Sequence, residues 1–97
     1  MTSTFTGAEL IAIERKEQIE KHGYTLEYDL EHDTGQLVTF GIAILTESAL
    51  HLPLDWDKKH LFRILLKPRV EQLAIAGALI AAEIDRIKLI QELEKNN

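Results

Sequence analysis

Cysteine is absent from the 97 residues. Neither disulfides nor thiolate metal sites can therefore offset the thin core of so small a chain, and the absence fits a reducing compartment. Long apolar runs are missing too. The longest, about Leu73 to Ala82, falls well short of the ~20 residues that cross a bilayer, and nothing resembles a cleavable signal. The expectation is a cytoplasmic protein with no membrane partner. No Gly-rich phosphate loop, Ser/His/Asp order or His-x-x-x-His spacing occurs, which argues against covalent hydrolases and zinc enzymes. The length excludes a multidomain enzyme, and residues 1–97 read as one domain.

What is present is aliphatic and acidic: 45% hydrophobic residues, with 11 Lys and Arg against 16 Asp and Glu for a net charge of −5. The excess sits in residues 1–34, which hold eight acids and three bases; residues 35–97 hold eight of each. Within the balanced part, Lys58, Lys59, Arg63, Lys67 and Arg69 run with no acid between them, a local anion-binding patch in a chain whose total charge makes duplex nucleic acid a poor partner. An aliphatic excess on so few residues points to self-association as a homodimer or larger assembly.

The periodicity is helical throughout, and the fold class is all-α. Thr6 followed by Glu9 has capping-box spacing and opens a helix over about 7–22, which Gly23 is placed to end in a left-handed conformation. Residues 24–34, with four acids, two tyrosines and a histidine, match neither a helical nor a strand pattern and read as a loop. Asp33-Thr34-Gly35 then leads into a helix over about 36–50, so continuously apolar that it should be the central and most buried element. Residues 51–68 read as a connection with one short helical turn near 58–65. A long helix follows over about 69–94, with Val70, Leu73, Gly77, Ile80, Ile84 and Ile87 as its core stripe and Ala74, Ala78, Ala81 and Ala82 admitting a close neighbour. The result is a bundle of three main helices, completed by association of the second and third.

Four pieces in order carry a likeness: Glu14-Arg15-x-x-Gln18; Gly23-Tyr24-Thr25-x-Glu27 through His32-Asp33-x-Gly35; Trp56 before Lys67-Pro68; and Ala76 to Arg86. Together they resemble a family of short phage and prophage proteins described as nucleotide pyrophosphohydrolase-like. These are related to the all-α MazG-type enzymes that split nucleoside triphosphates into monophosphate and pyrophosphate. The resemblance implies an all-α scaffold, a nucleotide or cyclic nucleotide as ligand, and Mg²⁺ held by carboxylates at helical spacing on neighbouring helices.

The chain departs from that pattern. Gln36 stands where a glutamate is expected, and a neutral amide adds no charge to a cation site. Glu83 is followed at i+3 by Arg86, while Asp85 is rotated about 200° from Glu83 on an ideal helix. The implied metal set is Glu14, Glu17, Gln36 and Glu83, and the implied nucleotide set is Tyr24, Tyr28, His32, Lys67, Arg69 and Arg86; no catalytic residue is assigned. Each also has a plainer reading. Glu14 and Glu17 read equally as surface charge, Glu83 as the partner of an arginine, and His32 as a cap. The tyrosines and Trp56 stack a base or seal the core, contact being favoured for Tyr28 and the seal for Trp56. Lys67 and Arg69 precede helix N-terminal amides that favour anions, or pair with acids at the surface.

Three functions fit these residues. The first is a nucleotide-binding protein on a MazG-like scaffold, of phage or prophage origin, that sequesters a nucleotide signal of host defence. The second is an active Mg²⁺-dependent pyrophosphohydrolase. The third is an oligomeric helical adaptor without a small ligand.

Overall fold

A computed structural model describes residues 4–22, 36–50, 52 and 58–95. Among them the chain is all-helical, with α1 over Gly7–His22, α2 over Gln36–Thr46, α3 over Lys58–Leu65 and α4 over Arg69–Lys95. The expected short turn near 58–65 is a helix of two full turns. Thr6 and Glu9 form the capping box. The Thr6 amide donates to Glu9 Oε1 at 2.9 Å and the Glu9 amide to Thr6 Oγ1 at 3.2 Å, satisfying two donors that a helix start leaves open.

α2 ends four residues before the expected limit. Glu47 adopts φ 54°, the left-handed region, although it is not glycine. The Ser48 amide then donates to Ala43 O at 3.0 Å and the Glu47 amide to Ile44 O at 3.2 Å, the paired bonds of a Schellman end. Arg69, at the start of α4, closes the same end from outside. Its Nη1 donates to Ile44 O at 3.2 Å and its Nη2 to Leu45 O at 2.8 Å, while Glu47 and Gln72 hold Nη1 at 3.2 and 2.9 Å. Buried Gln72 caps α3 in the same way, its Nε2 donating to Leu65 O at 3.1 Å and Lys67 O at 2.8 Å.

α2 runs antiparallel to α4: Gly41 lies against Ala76 and Leu79, and the C-terminal end of α2 meets Arg69. The apolar core gathers Leu37, Ala43 and Ile44 from α2, Leu52 from between α2 and α3, Leu61 and Ile64 from α3, and Ala76, Leu79 and Ala82 from α4. Phe40 stacks on His60 at its margin, with ring centroids 5.5 Å apart. Within α3 the alternation is clean. Leu61 and Ile64 point inward while Phe62 and Arg63 face water, as an eight-residue helix with one covered face requires.

Two expectations about burial are corrected. α2 is not buried all round, since Ile42 and Leu45 on its outer side are each 39% exposed. The larger correction concerns α4. Its stripe of Val70, Leu73, Ile80, Ile84 and Ile87 is the exposed face, and the small residues Ala74, Ala76, Ala78 and Ala82, with Leu79, form the buried one. α4 is apolar on both sides: α2 and α3 take the side where alanines let backbones approach, and α1 meets the margin of the other at Gly77 and beside Val70 and Leu73.

α1 belongs to none of this core. Among the described residues it packs on α4 alone, running parallel to it, with Ile11 seated on Gly77 and Arg15 reaching Asp85. A side chain at position 77 would bring its Cβ to 2.6 Å from Ile11 Cδ1, so the missing side chain is what admits α1. Gly77 is thus used to seat α1 on α4.

Candidate functional site

Four polar side chains are buried among the described residues: Arg15, Gln18, Gln72 and Arg86. Gln72 is occupied in capping α3. The other three share one end of the molecule, where α1 has passed Gly77 and the N-terminal end of α2 arrives. With Gly41 opposite Ala76 and Leu79, the antiparallel register carries the start of α2 about five residues further along α4, to the level of Glu83.

The charges there are organised as two pairs on opposite sides of α4. Toward α1, Arg15 Nη2 donates to Asp85 Oδ2 at 3.5 Å, with Arg15 buried and Asp85 half-exposed. Toward α2, Arg86 Nε donates to Glu83 Oε1 in a close pair whose side chains are only 8% and 13% exposed. Charges taken this far out of water are tolerable only when matched, and Glu83 is matched by an arginine one turn away on its own helix. Of the two sequence readings of Glu83, the structure supplies the pairing with Arg86.

Gln18 is 5% exposed, and its Oε1 has no hydrogen-bond partner among the described residues. A buried acceptor in that condition costs about 1–3 kcal/mol, so the site carries an acceptor that a donor from elsewhere would satisfy. Arg15 and Gln18 are the Arg and Gln of the Glu14-Arg15-x-x-Gln18 motif. Sequence reasoning weighed the motif's carboxylates and passed over the two residues that are buried. Their polar heads on the helix face that also carries Ile11 were the available signal.

The remaining expected site residues are distributed as follows. Glu14 and Glu17 lie half-buried on α1. Gln36 is the first residue of α2. Lys67 pairs with Glu71 at 3.2 Å, and Arg69 holds the end of α2. Seventeen residues of one helix separate Arg69 from Arg86, about 25 Å at ~1.5 Å per residue, so the structure does not bring Lys67 and Arg69 to the Glu83–Arg86 pair. Tyr24, Tyr28, His32 and Trp56 lie outside the described residues. No three His, Cys, Asp or Glu side chains come together as a metal-holding group among the described residues. No helix there is long and apolar enough to cross a membrane. No family model, curated protein or solved structure matches the chain.

Proposed function

We propose that the protein binds a nucleotide or cyclic nucleotide on an all-α, MazG-like scaffold and that binding, rather than hydrolysis, is its task, as in a phage product that sequesters a signalling nucleotide. The observation that carries this reading is the buried Oε1 of Gln18 lacking a partner among the described residues, on the same helix face as buried Arg15. A base amine or a ribose hydroxyl supplies the missing donor, and a guanidinium supplies the counter-charge a phosphate needs. The aromatic and acidic segment 24–34 follows α1 directly, which puts Tyr24, Tyr28 and His32 in the stretch joining this end of α1 to the start of α2. The pairing of Glu83 with Arg86 supports binding over turnover, because a carboxylate committed to an arginine has less negative charge to offer Mg²⁺.

The test is a thermal-shift screen of the four ribonucleoside and four deoxynucleoside triphosphates and of cyclic nucleotides, with and without Mg²⁺, followed by pyrophosphate assay of each hit. The expected result is stabilisation by a nucleotide without added metal and no pyrophosphate. Metal-dependent pyrophosphate release that vanishes in Glu83→Ala would establish the pyrophosphohydrolase instead, with Glu14 and Glu17 supplying the further carboxylates. Gln18→Leu separates binding from folding. It removes the buried acceptor, so the protein should gain stability while losing nucleotide binding; a variant that binds as before refutes the role given to Gln18.

A further inference from the structure

α3 is covered on one side, and its other side is not the wholly polar surface that such a helix ordinarily turns to water. Leu61 and Ile64 are buried, while Phe62 is 54% exposed and Leu66, in the turn that closes the helix, is 86% exposed. A lone exposed apolar residue needs no explanation. Here two stand one turn apart, bracketed by cations. At about 100° per residue, Lys58, Phe62, Lys59 and Arg63 fall in that order across about 140° of the outer face, and all four are exposed. The apolar pair thus has a lysine on one flank and a lysine and an arginine on the other. Arg63 Nε donates to the Lys59 carbonyl at 3.5 Å, a neutral acceptor.

The surrounding charge sharpens the patch. Residues 55–69 hold five bases against two acids, Asp55 and Asp57, a net of +3 in a chain of net −5. Glu9, Glu14, Glu17 and Glu20 lie on α1, which makes no contact with α3 among the described residues. At physiological ionic strength fields fade over about 8 Å, so a surface touching α3 meets its cations and not the total charge.

We propose that the outer face of α3 is a peripheral docking surface for an anionic lipid bilayer, with Phe62 and Leu66 entering the boundary between headgroups and acyl chains while Lys58, Lys59 and Arg63 reach the lipid phosphates. The order of the residues fits this partner. An interfacial helix carries apolar side chains in the middle and, at the flanks, Lys or Arg whose long stems reach back to the headgroups. Single-stranded nucleic acid asks instead for rings on which successive bases stack, and Leu66 has none. The two apolar side chains stand out from the surface, which suits a soft layer that admits them. Such contact needs no spanning segment; it revises the expectation of no membrane partner, which rested on the lack of one. The surface lies at the Arg69 end of α4, far from Glu83 and Arg86, and does not depend on the nucleotide reading.

The test is co-sedimentation of the full chain with vesicles of phosphatidylcholine alone and of phosphatidylcholine with phosphatidylglycerol, at low and physiological salt. The expected result is binding to the anionic vesicles only, weakened by salt. Lys58→Gln and Arg63→Gln should each lower the partition about fivefold. Phe62→Ser with Leu66→Ser keeps every charge and should lower it about tenfold, which adsorption by charge alone would not show. Because the chain has no cysteine, Leu66→Cys and Lys16→Cys chains each take one environment-sensitive fluorophore, and only the label at position 66 should shift to the blue on anionic vesicles. This second readout decides the matter if the serine variant does not fold. No vesicle binding at low salt, equal binding to neutral vesicles, or an unshifted label at position 66 overturns the proposal. Binding of a single-stranded oligonucleotide without vesicle binding would assign the patch to nucleic acid instead.

Discussion

The two sides of α4 are built by different means. On the side of α2 and α3 the contact is apolar and closed: Ile44 and Leu61 are completely buried, and both adjoining helix ends are tied down by Arg69 and Gln72. On the side of α1 the contact rests on a glycine–isoleucine approach, an arginine–aspartate pair and a buried amide oxygen without a described partner, beside an open hollow. The first arrangement stores stability, since each fully buried aliphatic side chain contributes about 1.5–3 kcal/mol. The second leaves one buried acceptor, Gln18 Oε1, without a described partner and space unfilled, and such a contact has room for a ligand. One helix thus serves as a structural beam on one face and as the floor of a candidate binding site on the other.

The comparison is broken most severely from the core side. Ile44→Ala removes a side chain with no solvent exposure from the core shared by α2, α3 and α4 and should cost about 2–5 kcal/mol, read as a lowered midpoint in urea. In a protein of this size that is a large share of the total, and a loss below 1 kcal/mol would show that α2 is less firmly packed than its burial implies. Ile11→Ala, on the other side, should cost much less and leave far-UV helicity of the core intact.

Gly77 gives the next largest effect and a sign that can be reversed. Gly77→Leu drives a branched side chain into Ile11 and should cost about 1–3 kcal/mol, releasing α1 first, which hydrogen exchange of α1 amides would report. A glycine inside a helix is itself unfavourable by about 1 kcal/mol relative to alanine. Gly77→Ala should therefore destabilise the natural chain and stabilise one that already carries Ile11→Ala. If alanine at position 77 has the same effect in both backgrounds, Ile11 is not what keeps the glycine there.

Arg69 separates a structural role from a ligand role. Its guanidinium closes the C-terminal end of α2, so Arg69→Ala should cost about 1–2 kcal/mol and fray α2 while leaving nucleotide affinity unchanged. Nucleotide binding that falls without a loss of stability would return Arg69 to the binding site.

These residues also show what could be read from the sequence and why the rest could not. The Thr6–Glu9 cap, the limits of α1 and the span of α4 depend on neighbours three or four positions apart, and local pattern expresses them directly. The end of α2 was hidden because Glu47 takes a conformation that usually announces itself by glycine, and the arginine that secures it comes 22 residues later. The direction of α4 was hidden for another reason. Its large aliphatic residues look like a core stripe, yet alanines won the core because α2 and α3 could approach them closely, a choice made by the packing of three helices together. Of the candidate site, Glu83 and Arg86 were legible as a potential pair at i+3; the burial of Arg15 and Gln18 depends on where α1 docks.

The smallest effect is the most selective. Glu9 is fully exposed, and its carboxyl is held below the ordinary carboxylate range by accepting from the Thr6 backbone amide and, secondarily, by its side-chain bond to Thr6. A carboxylate whose value is lowered on folding stabilises the folded state above its unfolded value, near 4.3 for glutamate, and that contribution disappears as the pH falls through the lowered folded value. Glu9→Gln should therefore weaken the helix at neutral pH and converge with the natural chain in acid. Because α1 contributes nothing to the apolar core, the difference should be confined to α1: its amides should exchange faster in the variant at neutral pH, while amides of α2 and the middle of α4 keep their protection. Equal acceleration on both sides would mean that α1 and the core unfold as one unit, and the contrast between the two faces of α4 would then be one of composition alone.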